Sequence, residues 1–211
     1  MRVYDDGLLR WGAGATGAAV TVRMSDGTVD LLALERFLGT ADDTDESLLR
    51  SARGPVLDIG CGPGRMLDAL ARRGVFALGF DLSPVAVALA RGKGGRAIVA
   101  SVFDELPGAG SWRTALLLDG NIGIGGAPER LLARVASLLI DTGEIVVELE
   151  RPDAAGGPLR ACLQSGEGAV SAWFPWARVP VGEIDGIAAA SGLSVAARWS
   201  TGGRWFARLG R

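Results

Sequence analysis

The segment of this chain best suited to hold a ligand is Asp58-Ile59-Gly60-Cys61-Gly62-Pro63-Gly64, which continues the apolar run Val56-Leu57 and leads into a helical pattern from Arg65. Glycines there let the backbone turn sharply and approach a ligand closely, and the helix N-terminus offers unpaired N–H groups. That arrangement suits a nucleotide-like ligand lying across the turn. A dinucleotide fingerprint would put its third glycine at position 65, where this chain has Arg65, so the NAD reading is disfavoured. Histidine is absent, which excludes Ser-His-Asp and Cys-His machinery and any histidine-ligated metal. Acid–base work must come from Asp, Glu, Tyr, Lys, backbone or water.

These residues sit in an alternating strand–helix pattern that starts at residue 55, the signature of a parallel sheet covered on both faces. The strands read as Pro55–Ile59, Val75–Phe80, Ala97–Phe103, Thr114–Leu118 and Glu144–Leu149. The first helix, Arg65–Arg73, stops at Gly74; the second starts at Ser83-Pro84, an N-cap followed by proline. Pro128 opens another, expected to reach about Ile140 and to close at Gly143, whereas Asp104–Arg113, with Pro107, Gly108 and Gly110, leaves at most a short helix. Upstream, Val20–Met24 and Thr28–Leu32 flank Ser25-Asp26-Gly27 as a hairpin, followed by helix-spaced Leu34–Leu38 and Glu46–Ala52. Downstream, Arg151–Gly168 is rich in Pro and Gly and reads as loop, Val181–Ser191 as helix, and Leu193–Ser200 with Arg204–Leu209 as a terminal hairpin. One domain follows: residues 1–53 as an N-terminal cap or lid, 54–150 as the ligand-binding core, and 151–211 as a second-ligand side plus the hairpin.

Of 211 residues, 48% are hydrophobic and 22% charged, which fits a globular protein. A net charge of −2 lacks the basic footprint of a nucleic-acid binder. The opening MRVYDDGLLRWG has acids where a signal peptide needs an apolar run, and no stretch is apolar enough to span a bilayer, so a cytoplasmic protein without a membrane partner is expected. Cys61 and Cys162 are expected to be free thiols.

The run VLDIGCGPGR resembles the first motif of the class I S-adenosylmethionine-dependent methyltransferases, an acid followed by G-x-G-x-G. The resemblance implies an α/β Rossmann-like fold: a mostly parallel seven-stranded sheet with helices on both faces, a C-terminal antiparallel hairpin and an N-terminal hairpin/helix cap. It implies S-adenosyl-L-methionine as cofactor and S-adenosyl-L-homocysteine as product, held by Asp58, Gly60, Cys61, Gly62 and Gly64. Asp81, with Leu82 beside it, falls where such enzymes keep an acid for the ribose hydroxyls, since a carboxylate can accept from two vicinal hydroxyls. Phe103-Asp104 stands where they place a ring-face residue and an acid reaching the adenine amino group. At the end of the fourth strand, Asp119 and Asn121 should face the methionine moiety or the acceptor and are the candidate catalytic residues. The run there lacks the Asn/Asp-Pro-Pro-Tyr/Phe sequence that base methylators use. No Asp-Asn pair follows the fifth strand either, so no metal is expected.

Trp173, Trp176 and Arg178 occupy a position where small-molecule members of that family insert acceptor-binding elements; aromatic faces suit an apolar or cationic acceptor and the arginine an acidic one. Tyr4, Arg10 and Trp11 could close the opposite side. The sulfonium already carries an activated methyl group, so the protein chiefly aligns the reactants in line; a hydroxyl acceptor would profit from Asp119 or Glu148 as base. The expected function is transfer to O or N of a small molecule. A cofactor-binding protein without transfer activity, and a non-methylating enzyme on the same fold, stay open. Assembly as a homodimer stays open too.

Overall fold

The computed structural model describes residues 2–15 and 19–211. Helix α1 (Arg2–Gly12) precedes the hairpin β1 (Val20–Met24) and β2 (Val29–Leu31), then the short helices α2 (Leu34–Leu38) and α3 (Asp43–Leu49). The core runs β3 (Val56–Ile59), α4 (Arg65–Arg72), β4 (Ala77–Asp81), α5 (Pro84–Gly92), β5 (Ala97–Val99), β6 (Trp112–Leu117), a kinked 3₁₀ segment (Asn121–Gly126), α6 (Pro128–Leu138) and β7 (Leu139–Leu149). It ends with β8 (Gly157–Ser165), β9 (Phe174–Arg178), α7 (Ile184–Ala190), β10 (Ser194–Thr201) and β11 (Arg204–Gly210).

Seven strands form the main sheet in the order β10-β11-β7-β6-β3-β4-β5. The five from β3 to β7 are mutually parallel, and the terminal hairpin adds antiparallel through β11. Because both faces are covered, neighbouring apolar residues serve opposite layers. Leu57, Leu117 and Val147 pack with Leu131 and Val135 of α6 and Ile184 of α7, whereas Val56, Leu116 and Val146 pack with Leu67 and Leu70 of α4, Val87 of α5 and Leu49 of α3. The strand order reverses at β3, flanked by β4 and β6, so a crevice opens beyond its carboxyl end, at the glycine loop.

Three expectations need correction. First, Arg151–Gly168 is not wholly loop: Gly157–Ser165 is strand β8, and with β9 it extends the N-terminal hairpin into a four-stranded antiparallel sheet, β2-β1-β8-β9. Pro158 lies at the strand start, where its missing N–H costs little, and Leu159, Ala161 and Leu163 share one face. Second, α6 ends at Leu138 and the chain passes directly into β7, so Gly143 lies within that strand instead of closing the helix. Third, the opening segment is a helix. Val3 and Leu8 of α1 pack with Val20, Leu34 and Ala86, and the Ser83 hydroxyl, which caps α5, donates to Asp5. Helix α1 and the smaller sheet are thereby fixed over the crevice. The stretch from 104 to 111 holds no helix, as its prolines and glycines require.

Candidate functional site

Beyond the carboxyl ends of β3, β4 and β6 lies a cavity of about 750 Å³, lined on one side by Asp58 to Pro63, Asp81, Leu82 and Ser101 to Phe103, and on the other by the smaller sheet. Gly62 takes φ +51°, a region that favours glycine, and a Cβ built there would first meet the Tyr4 hydroxyl at 3.4 Å. Gly64 plays another part: it caps α4 and is absent from the lining, and a Cβ on it would lie 2.7 Å from Ala90 of α5, so it serves helix packing.

Asp58 is buried, and its Oδ2 has no hydrogen-bond partner among the described residues. Burial, with Asp119 and Asp81 adding negative charge, pushes its carboxyl up to about 7. An orphaned buried carboxylate oxygen at a cavity wall fits a donor supplied by a ligand. Asp81 accepts from the Gly62 N–H at 3.0 Å and the Ser83 N–H at 2.8 Å, which aims its carboxylate along the glycine loop. Burial raises its pKa and those backbone donors oppose the rise. Cys61 is buried and its thiol is pushed up, by burial first and then by Asp58 and Asp81, so it is inert as a nucleophile. Burial likewise raises the Tyr4 phenol, reinforced by Asp81; it stays a hydrogen-bond donor.

Phe103 lines the cavity but Asp104 does not: its Oδ2 accepts from the Ser101 N–H at 2.8 Å and closes a local turn. The expected carboxylate contact to an adenine amino group is therefore not set up by Asp104, and Ser101 and Val102 occupy that wall instead. Asn121 spends its amide hydrogens on the carbonyls of Ile59 and Gly60, at 2.8 and 3.0 Å, so it staples the glycine loop and is not poised for proton transfer.

Asp119 has φ +55°, the one non-glycine residue with positive φ among those described. Arg65 donates to it at 2.5 Å, and Arg36 and Arg204 approach at 3.4 and 3.7 Å. Behind it Asp45, fully buried, pairs with all three arginines, and Arg204 grips Glu148 through two hydrogen bonds of 2.7 Å. Burial alone would raise the Glu148 pKa, but Arg204 and the Asp119 N–H, 2.7 Å away, hold it below the usual range. Both acids are thus committed to ion pairs and are poor bases. The network joins α2, α3, α4, β7 and β11 beneath the site.

On the opposite wall, Trp173, Phe174, Pro175, Trp176 and Arg178 line the cavity with Val22, Leu32 and Leu163. A Cβ on Gly123 would lie 2.2 Å from the Ala177 carbonyl oxygen, so the glycines after β6 let β9 rest on that segment and bring Trp176 over Gly120. Arg178 is already matched: it donates to Asp26 at 2.7 Å and lies 3.8 Å from Asp30. Tyr4 lines the cavity from α1. Trp11 does not, and Arg10 pairs with Glu167 away from it, because α1 turns that end of its surface outward. The buried arginines and Asp45, missed in the sequence, left a signal only in Asp42-x-x-Asp45, which forms a capping box.

Residues 56–143 match a family model described as a methyltransferase domain. A curated relative, an ATP synthase lysine N-methyltransferase of Mus musculus, is 30% identical over 132 residues, 60% of this chain and 50% of the relative, so the chain spans half the length of that protein. Among solved structures, a SAM-dependent methyltransferase from Bacteroides fragilis in complex with S-adenosyl-L-homocysteine aligns with a TM-score of 0.79 and 21% identity over 98% of this chain and 93% of that one. SAM-bound CalS10, an amino pentose methyltransferase from Micromonospora echinaspora involved in calicheamicin biosynthesis, aligns with a TM-score of 0.58 and 20% identity over 84% and 94%.

Proposed function

Because this chain belongs to the class I S-adenosylmethionine-dependent methyltransferases, we propose that it transfers a methyl group from S-adenosyl-L-methionine to an O or N atom of a small molecule. The observation carrying this reading is the single cavity shared by the glycine loop and the aromatic strand β9. Its volume lies within the range of small-molecule sites, about 300–1,000 Å³, and suits a cofactor beside a compact acceptor. Asp58 would take the cofactor's ammonium, Asp81 its ribose hydroxyls, and Phe103 a face of its adenine, with Leu82, Cys61 and the loop backbone around them. When bound, the cofactor supplies an activated methyl on a sulfonium. The chain's own residues then hold the acceptor in line and exclude water, work supported by Tyr4 on one side and Trp173 and Trp176 on the other. Asp119 and Asn121 enter as positioning residues that fix the loop facing the acceptor.

The B. fragilis structure holds the demethylated product, and CalS10 acts on a sugar amine; both support the cofactor and a small acceptor. The mouse relative is a lysine methyltransferase, and the enclosure of this cavity by a second sheet favours a small molecule over a protein side chain. The test is incubation with methyl-labelled cofactor and panels of small amines, small alcohols and lysine peptides. Label in a small molecule supports the reading; label only in a peptide, or none, refutes it.

A further inference from the structure

We propose that the methyl acceptor is an amine and that Glu150, at the carboxyl end of β7, receives it. The proposal rests on the methyl-transfer reading above and narrows it.

The Glu150 backbone is fixed while its side chain is not. Its N–H donates to the Val179 carbonyl at 2.9 Å and its carbonyl accepts from the Val181 N–H at 3.0 Å, a parallel bridge to Pro180 that ties β7 to the chain leaving β9. Its carboxylate lines the cavity, is exposed, and has no hydrogen-bond or ion-pair partner among the described residues. Glu148, two residues earlier, is bound by Arg204 and the Asp119 N–H.

Five carboxylates line the cavity, Asp30, Asp58, Asp81, Asp119 and Glu150, against two cations, Arg65 and Arg178. Both arginines are spoken for, by Asp45 and Asp119 and by Asp26. Lys93, the one lysine of the chain, donates to the Leu38 carbonyl outside the cavity. An acidic acceptor would thus meet no uncommitted cation among the described lining residues, whereas a basic one meets excess negative charge and the faces of Trp173, Phe174 and Trp176.

The charge flow of the reaction selects further. The lone pair of a neutral amine forms the N–C bond as the S–C bond breaks and its electron pair stays on sulfur. Positive charge therefore passes from sulfur to nitrogen, and the product ammonium later gives its proton to water. An anion on the acceptor side stabilises that developing charge more than it stabilises the starting amine. A hydroxyl would instead have to lose its proton to a group many orders of magnitude less basic than an alkoxide, and no histidine is present to help.

The test uses the full chain saturated with S-adenosyl-L-homocysteine and titrated calorimetrically with benzylamine, cyclohexylamine and tryptamine, then with the matching alcohols. Turnover of the same compounds and of a lysine peptide is measured with labelled cofactor. The amines should bind and be methylated and the alcohols should not. Glu150→Gln should lower amine affinity and kcat/KM about 10- to 100-fold, the loss expected for one charge-assisted contact, with cofactor affinity and Tm unchanged. Methylation of an alcohol in preference to its amine, absence of amine binding and turnover, or unaltered amine binding by Glu150→Gln overturns the proposal. A chain that binds no S-adenosyl-L-homocysteine overturns the methyltransferase reading itself. Methylation of the lysine peptide alone supports the amine and Glu150 while overturning the small-molecule acceptor.

Discussion

Replacing Asp58 by asparagine should stabilise the ligand-free protein at pH 8 while weakening its hold on the cofactor. The Asp58 carboxyl is buried without a partner for Oδ2 among the described residues, and burial, Asp119 and Asp81 push it from the ordinary 3.8 to about 7. Between those values the folded state keeps a proton that the unfolded state has released, so stability falls as pH rises through this window and levels off above about 7. At 1.36 kcal/mol per pH unit the whole penalty is about 4 kcal/mol. An asparagine removes the charge but buries an amide that also lacks partners, at about 1–3 kcal/mol. The net gain at pH 8 is then about 1–3 kcal/mol, and it should vanish at pH 5, where the wild-type carboxyl is neutral. Asp81, also raised by burial, is common to both proteins and cancels in the difference. Urea unfolding of wild type and Asp58→Asn at pH 5 and pH 8, compared at constant slope, reads this directly. A variant no more stable than wild type at pH 8, or a difference independent of pH, would refute the reasoning.

Asp81→Ala should weaken S-adenosyl-L-homocysteine by about 1.5–3 kcal/mol in a calorimetric titration, the range for hydrogen bonds to a charged group; unchanged affinity removes Asp81 from the site. Asp45→Ala leaves Arg36, Arg65 and Arg204 facing one another in a buried position and should cost about 3–5 kcal/mol in denaturant unfolding, whereas a loss below about 1 kcal/mol would show that the network carries little. Trp176→Ala should leave cofactor affinity and most of the stability intact and cut acceptor turnover. A stability loss of about 3–5 kcal/mol with turnover per folded molecule unchanged would make it a packing residue.

The core was legible because its signals are local. The strand entering the glycine loop, Ser83-Pro84 opening α5 and the period-two runs of the terminal hairpin each fall within a few residues, and each element formed close to its expected bounds. Strand β8 escaped because Gly156, Gly157 and Pro158 read as loop and its partner β1 is distant in sequence, with no turn to announce the pairing. Asp119 and Asn121 were correctly put at the end of β6, but their tasks depend on residues no spacing rule connects. Asn121 answers to the Ile59 and Gly60 carbonyls, and Asp119 shares a buried network in which Arg204 reaches Asp45 across 159 residues. Arg178 lost its freedom to Asp26 of the β1–β2 turn, again a tertiary contact.

The most direct test of the account is a calorimetric titration of the wild-type chain and of Gly62→Val with S-adenosyl-L-homocysteine at pH 8. At φ +51° a β-branched side chain is strained, and its methyl groups would fill the space beneath Tyr4. The wild type is expected to bind one equivalent and the folded variant none; no binding by the wild type, or equal binding by both, would contradict the claim that the cofactor lies across the glycine loop.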